Sequence, residues 1–233
     1  MTVPRRANNV YQERVVVDFD HGALTAGVAS SFLTPTRKLR VDGIKYINPT
    51  GLVAHADNWF TVDVRRSGSS DTDLPASQTF TAEADDETAT KVAHGLSTGD
   101  GPFTLTNAGG ALPSGLATVT NYWIIRVTAD TFRFAATRAL AFVGTAIALA
   151  DDGTGTHTLV TSAASRHPVT IATGIDTDAD TGASLAADSW ITLTTADDET
   201  MILESGDELL FVAVEGGNAT LPAGRLVVEG RYL

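Results

Sequence analysis

SWITLTT (189–195), TADDETMIL (195–203), ESGDELLFVAVEGG (204–217) and LPAGRLVVEGRYL (221–233) together read as three or four strands with their turns. Ile191 and Leu193 alternate with Trp190, Thr192 and Thr194, the period of a strand with one face buried. Leu226, Val228 and Tyr232 form an inward set against Val227, Glu229 and Arg231. Leu209 to Val214 breaks the pattern, because it is apolar throughout. A run of that kind is buried on both faces, so Leu209, Leu210, Phe211 and Val212 are expected in a sandwich core or at a subunit contact. A chain that ends on a strand is expected to close a sheet with it, and the partners are sought at the other end of the sequence.

That end has strands of the same style. In ERVVVDFD, Val15, Val17 and Phe19 share one face, opposite Val16, Asp18 and Asp20. In TRKLRVDGIKYINPTG, Leu39 and Val41 set a phase that Ile44 and Tyr46 resume one residue late. Gly43 sits at the slip, which predicts a β-bulge. Phe60, Val62 and Val64 then alternate with Thr61, Asp63 and Arg65. Residues 1–13 precede all of this without any period. Such an arm is disordered or docks on a partner or a neighbouring subunit, and Arg5, Arg6, Val10 and Tyr11 are the residues with which it would make that contact.

The middle of the chain differs. SGSSDTDLPAS (67–77) is a break in composition, and Gly-rich connectors then separate short strand candidates as far as Ser162. Tyr122 to Val127, apolar on both faces apart from Arg126, is expected to be a central strand, and Thr145–Leu149 another strand. Only Thr137–Phe142 suits a helical turn. The prediction is an all-β chain: an arm (1–13), a β-sandwich (14–77 plus 163–233) and a small β-domain (78–162) inserted in it. A module inserted on a loop is expected to project outward.

Composition limits the function. The net charge is −12, and it is uneven. Residues 1–75 are close to neutral, with 9 basic and 8 acidic side chains, whereas residues 163–233 hold 3 and 12. Phosphate backbones need clustered Lys and Arg, so nucleic acid is not expected as a partner. No apolar run is long enough to span a membrane as a helix, and the start of the chain lacks the apolar region of a signal peptide. The absence of cysteine excludes disulfides and thiolate metal sites.

Catalytic signatures are missing: there is no phosphate loop, nucleophile elbow or HExxH pair. No cofactor is expected, and the chain is read as non-enzymatic. His21, His94 and His157 read as turn histidines at strand ends. Asp176, Asp178 and Asp180 have the D-x-D-x-D spacing that opens a calcium loop, but Gly182 falls one place late and no glutamate closes the motif. A solvated acidic loop is the plainer reading, and a calcium site the alternative. Trp59, Trp123 and Trp190 lie in or beside strands and read as core packing in preference to sugar-stacking platforms.

HGLSTGD (94–100), ALPSGLATVTNYWIIRVTADTFRFAATRALA (111–141) and GTAIALADDGTGTHTL (144–159) resemble a β-module of tailed-bacteriophage structural proteins. The VVVDF strand behind its arm, and the ending ESGDELLFVAVEGGNATLPAGRLVVEGRYL, resemble the jelly-roll capsid decoration (cement) proteins of phage heads. That resemblance implies a homo-oligomer, as a trimer, bound to the major capsid protein on the outer capsid surface of a virion assembled in the host cytoplasm. It carries no active site. In that picture the near-neutral first third faces the capsid. The alternative is a tail- or fibre-associated protein whose inserted domain binds host-surface glycans.

Overall fold

The computed structural model describes residues 13–24, 28–68, 71, 73–196, 201–217 and 219–233. Arg5, Arg6, Val10 and Tyr11 lie outside them.

The described residues begin with β1 (Arg14–His21), β2 (Val28–Leu33), β3 (Leu39–Ile47) and β4 (Trp59–Ser67). They end with β11 (Val169–Asp176), β12 (Trp190–Thr192), β13 (Thr194–Thr195), β14 (Ile202–Leu203), β15 (Glu208–Gly216) and β16 (Gly224–Tyr232). Pairing runs from the outside in: β1 with β16, β2 with β15, β3 with β12 and β14, β4 with β11, all antiparallel. The chain is thus a long antiparallel ribbon, folded back on itself and rolled. Rolling distributes the ribbon over a first sheet, β1-β16-β3-β12, and a second, β13-β11-β4-β15-β2. This is the winding of a jelly roll.

The alternation in the sequence sets which face goes inside. Leu39, Val41, Ile44 and Tyr46 from the first sheet meet Phe60, Val62, Val64, Leu209 and Phe211 from the second in one core. Burying each such side chain contributes about 1.5–3 kcal/mol. The bulge expected at Gly43 is present. Glu229 pairs with Gly43 and Gly230 with Val41, leaving Asp42 as the extra residue. That one residue returns Ile44 and Tyr46 to the buried face.

Between β4 and β11, at the tip of the folded ribbon, the chain builds a second body. It comprises β5 (Gln78–Glu83), β6 (Thr88–Thr90), β7 (Thr104–Ala108), β8 (Trp123–Arg126), β9 (Thr131–Ala135), α1 (Arg138–Phe142) and β10 (Thr156–Val160). Its sheet has the order β7-β10-β5-β6-β9-β8. Phe80, Phe103, Ile124, Phe132, Phe134 and Leu159 give it a core of its own. Tyr122 to Val127 is therefore not central, because β8 stands at the edge of this sheet. Phe103 and Tyr122 exchange backbone hydrogen bonds of 2.8 and 2.9 Å, which draw the two edges together and curl the sheet nearly closed. Thr145–Leu149 is not a strand either. It runs as irregular chain, fastened by the Ile147 N–H to the Phe134 carbonyl at 2.7 Å.

The second body does not project. Helix α1, N-capped by the Thr137 hydroxyl, lays Phe142 on Leu210 and Val212, which point away from the sandwich core on the outer face of the second sheet. Leu209, Phe211 and Ala213 take the inner face. The uninterrupted Leu209–Val214 run is thus explained within one chain, by the core on one side and the inserted body on the other.

Candidate functional site

The sequence distributes side chains over the two outer faces of the sandwich in opposite ways. On the second sheet, α1 and its flanks close the face. Arg65 lies over the Phe142 ring at 4.6 Å, and Arg138 forms an ion pair with Glu208 at 3.3 Å. Asp100, fully buried, accepts a 2.6 Å hydrogen bond from His167 Nδ1. The Arg166 N–H donates to the Gly101 carbonyl at 2.8 Å. Gly99 has φ +93°, and a Cβ there would stand 2.3 Å from Phe142, so this glycine permits the close approach. Hydrogen bonding to Asp100 raises the His167 pKa above its ordinary value. Arg66 and Asp71 form a buried ion pair beside this junction, and the Asp71 Oδ2 also accepts the Gly68 N–H at 2.7 Å. These groups are spent on holding the two bodies together.

Among the described residues nothing covers the outer face of the first sheet, and register orders it in rows. Asp20, Arg225, Ile47 and Trp190 lie side by side across β1, β16, β3 and β12. Asp18, Val227, Lys45 and Thr192 make the next row, and Val16 with Glu229 follows. Cross-strand ion pairs fix the charged ends: Lys45 to Glu229 at 3.2 Å, Arg14 to Glu229 at 3.3 Å and Arg225 to Asp18 at 3.8 Å. Trp190 is 48% exposed and Val16 55%. Two confluent grooves flank Trp190 and Arg225, one of about 480 Å³ towards Asp20, His21 and Pro49, the other of about 450 Å³ towards Asp18, Lys45 and Glu229.

The floor of the larger groove is built by exclusion of side chains. Gly224 carries none, and a Cβ there would meet the Tyr46 hydroxyl at 2.4 Å and His21 Nε2 at 2.9 Å. His21 is stacked between Tyr46 and Phe211, donates from Nδ1 to the Gly22 carbonyl, and accepts the Tyr46 hydroxyl at Nε2. Burial lowers its pKa, so it is a neutral group at neutral pH.

The aspartates and two of the histidines singled out in the sequence fall elsewhere. Asp176 Oδ1 accepts the Asp178 N–H and Asp178 Oδ1 accepts the Asp180 N–H, while Asp176 Oδ2 takes the Thr181 hydroxyl. These are successive Asx turns. Among the described residues no group of three or more His, Cys, Asp or Glu side chains is placed to hold a metal ion. The Asp176 and Asp178 carboxylates are turned to donors of their own loop. His94 and His157 are buried, and each bonds through both ring nitrogens inside the second body. Trp190 overturns its reading as core packing. Its alternation with Ile191 already placed it opposite the core face, and that was the available signal.

The near-neutral first third does not form a side of its own. Rolling interleaves β1 and β3 with β16 and β12, so strands from both ends of the chain share one face. No family model, curated protein or solved structure matches the chain.

Proposed function

We propose that the protein is a non-catalytic structural component of a tailed-bacteriophage virion, a decoration (cement) protein. It would bind the major capsid protein on the outer surface of the head as a homo-oligomer, as a trimer, and stabilise the shell. The observation that carries this reading is the buried junction. Phe142 on Leu210 and Val212, Asp100 on His167 and Arg138 on Glu208 make one stiff bracket from two separately cored bodies. A bracket held by packing and charge-assisted hydrogen bonds suits a mechanical load better than a hinge would. The resemblance of residues 94–159 to phage β-modules supplies the setting.

Particles carrying the labelled chain are the test, imaged by electron microscopy. Label on the outer head, and earlier rupture of heads lacking the chain on heating, are the expected results. Label restricted to the tail would transfer the chain to the tail and remove the cement role. Saccharide hydrolysis by the purified chain would refute the non-catalytic assignment.

A further inference from the structure

We propose that the grooves astride Trp190 form a binding site for a neutral saccharide, on the sandwich and not on the inserted body. This does not depend on where in a virion the protein sits. The argument starts from shape. Each groove is shallow and open to solvent, and its volume falls in the range of roughly 300–1,000 Å³ usual for small-ligand sites. From Asp20 on β1 to Trp190 on β12 is three strand spacings, roughly 14 Å at about 4.8 Å each, the reach of a short oligosaccharide.

Chemistry narrows the ligand class. Trp190 offers an aromatic surface at the edge of the sheet, half open to solvent, with the Arg225 guanidinium lying over the ring 5.7 Å from its centre. The C–H face of a pyranose packs on such a ring. Around it stand acceptors on Asp18 and Asp20 and donors on Lys45 and Arg225, the complement a polyhydroxylated ring needs in fixed positions. Asp18 is already paired with Arg225, and Lys45 with Glu229. The charges hold one another in place and nearly cancel. An anion would meet Asp18, Asp20 and Glu229, a cation would meet Lys45 and Arg225, and an apolar ligand would strip water from all of them. A neutral hydroxyl-rich ligand avoids each cost.

The test uses the full chain. A panel of immobilised neutral oligosaccharides, ending in hexose, deoxyhexose or N-acetylhexosamine, is screened first. Cellotriose, maltotriose and triacetylchitotriose are then titrated to about 10 mM against the tryptophan indole NMR signals, with sialyllactose as the anionic control. The expected result is a saturable shift of the Trp190 signal with at least one neutral saccharide. Trp190→Ala should weaken that binding at least about tenfold, and Asp20→Asn should weaken it while the spectrum of the fold is retained. No neutral ligand on the panel, binding of sialyllactose alone, or a Trp190 signal that shifts with protein concentration alone would each overturn the proposal. The last outcome would mean that a second copy covers the face.

Discussion

The two outer faces of the sandwich carry the same kind of strand and meet opposite fates. On the second sheet, β15 points Leu210 and Val212 outward, and the inserted body covers them with Phe142. On the first sheet, β16 points Arg225, Val227 and Glu229 outward, and among the described residues the charged ends are tied to one another across strands. The outward set of a strand therefore records what lies on it. An apolar outward set demands a cover, and a cross-paired polar set tolerates water. The insertion, reached from the tip of the rolled ribbon, is an integral layer of the protein.

The comparison can be broken most severely by deleting 78–162. Leu210 and Val212 would then face water, so the shortened chain should aggregate or self-associate in sedimentation. Leu210→Thr with Val212→Thr should restore a monodisperse, folded sandwich. Unaltered solubility of the plain deletion would mean that the cover is dispensable. Next in size is Phe211→Ala, which empties the shared core beneath both faces and should cost about 3–5 kcal/mol in urea unfolding. Phe142→Ala tests the cover alone. It should cost roughly 2–4 kcal/mol and speed proteolysis near the junction while leaving the spectrum of the β1-β16-β3-β12 sheet in place.

Smaller effects come from pH. His167 has its pKa raised in the folded state, chiefly by its hydrogen bond to Asp100. Its contribution is fully present below the ordinary value of 6.5 and is lost as pH rises through the raised value. His21 has its pKa lowered by burial, so its effect has the opposite sign, and stability falls as pH drops below 6.5 towards the lowered value. Urea midpoints of His167→Gln should lose the decline above pH 6.5 and keep the decline below it. Loss of both limbs, or of neither, would refute the assignment. The smallest effect belongs to Trp190→Ala, which should change stability by no more than about 0.5 kcal/mol, because the ring is half exposed at a sheet edge. A larger loss would show that Trp190 is a structural residue of that sheet.

Period alone made much of the sandwich readable. Val15, Val17 and Phe19, the slip at Gly43 and the Phe60–Val64 alternation each mark a buried face, because side chains on a strand must alternate and only one set can leave water. β2 left no such trace. VASSFL has small polar residues at its centre, and the strand is recognisable only by its pairing with β15. Tyr122 to Val127 misled for a related reason. Tyr122 and Ile124 are buried, whereas Trp123 and Ile125 are only half-buried and Val127 is exposed, so apolar residues on both faces did not mark a central strand.

The sequence by itself determined the all-β character, the bulge and the two-sided burial of Leu209–Val214, since these follow from local period and from the cost of exposing apolar surface. Only the tertiary structure decided what covers each face. Asp100 and His167 lie 67 positions apart, as do Leu210 and Phe142 to within one position, and Trp190 and Asp20 come from opposite ends of the chain. Rolling the ribbon brings such residues together. Which distant groups then become neighbours depends on register and winding, and no local pattern of residues encodes either.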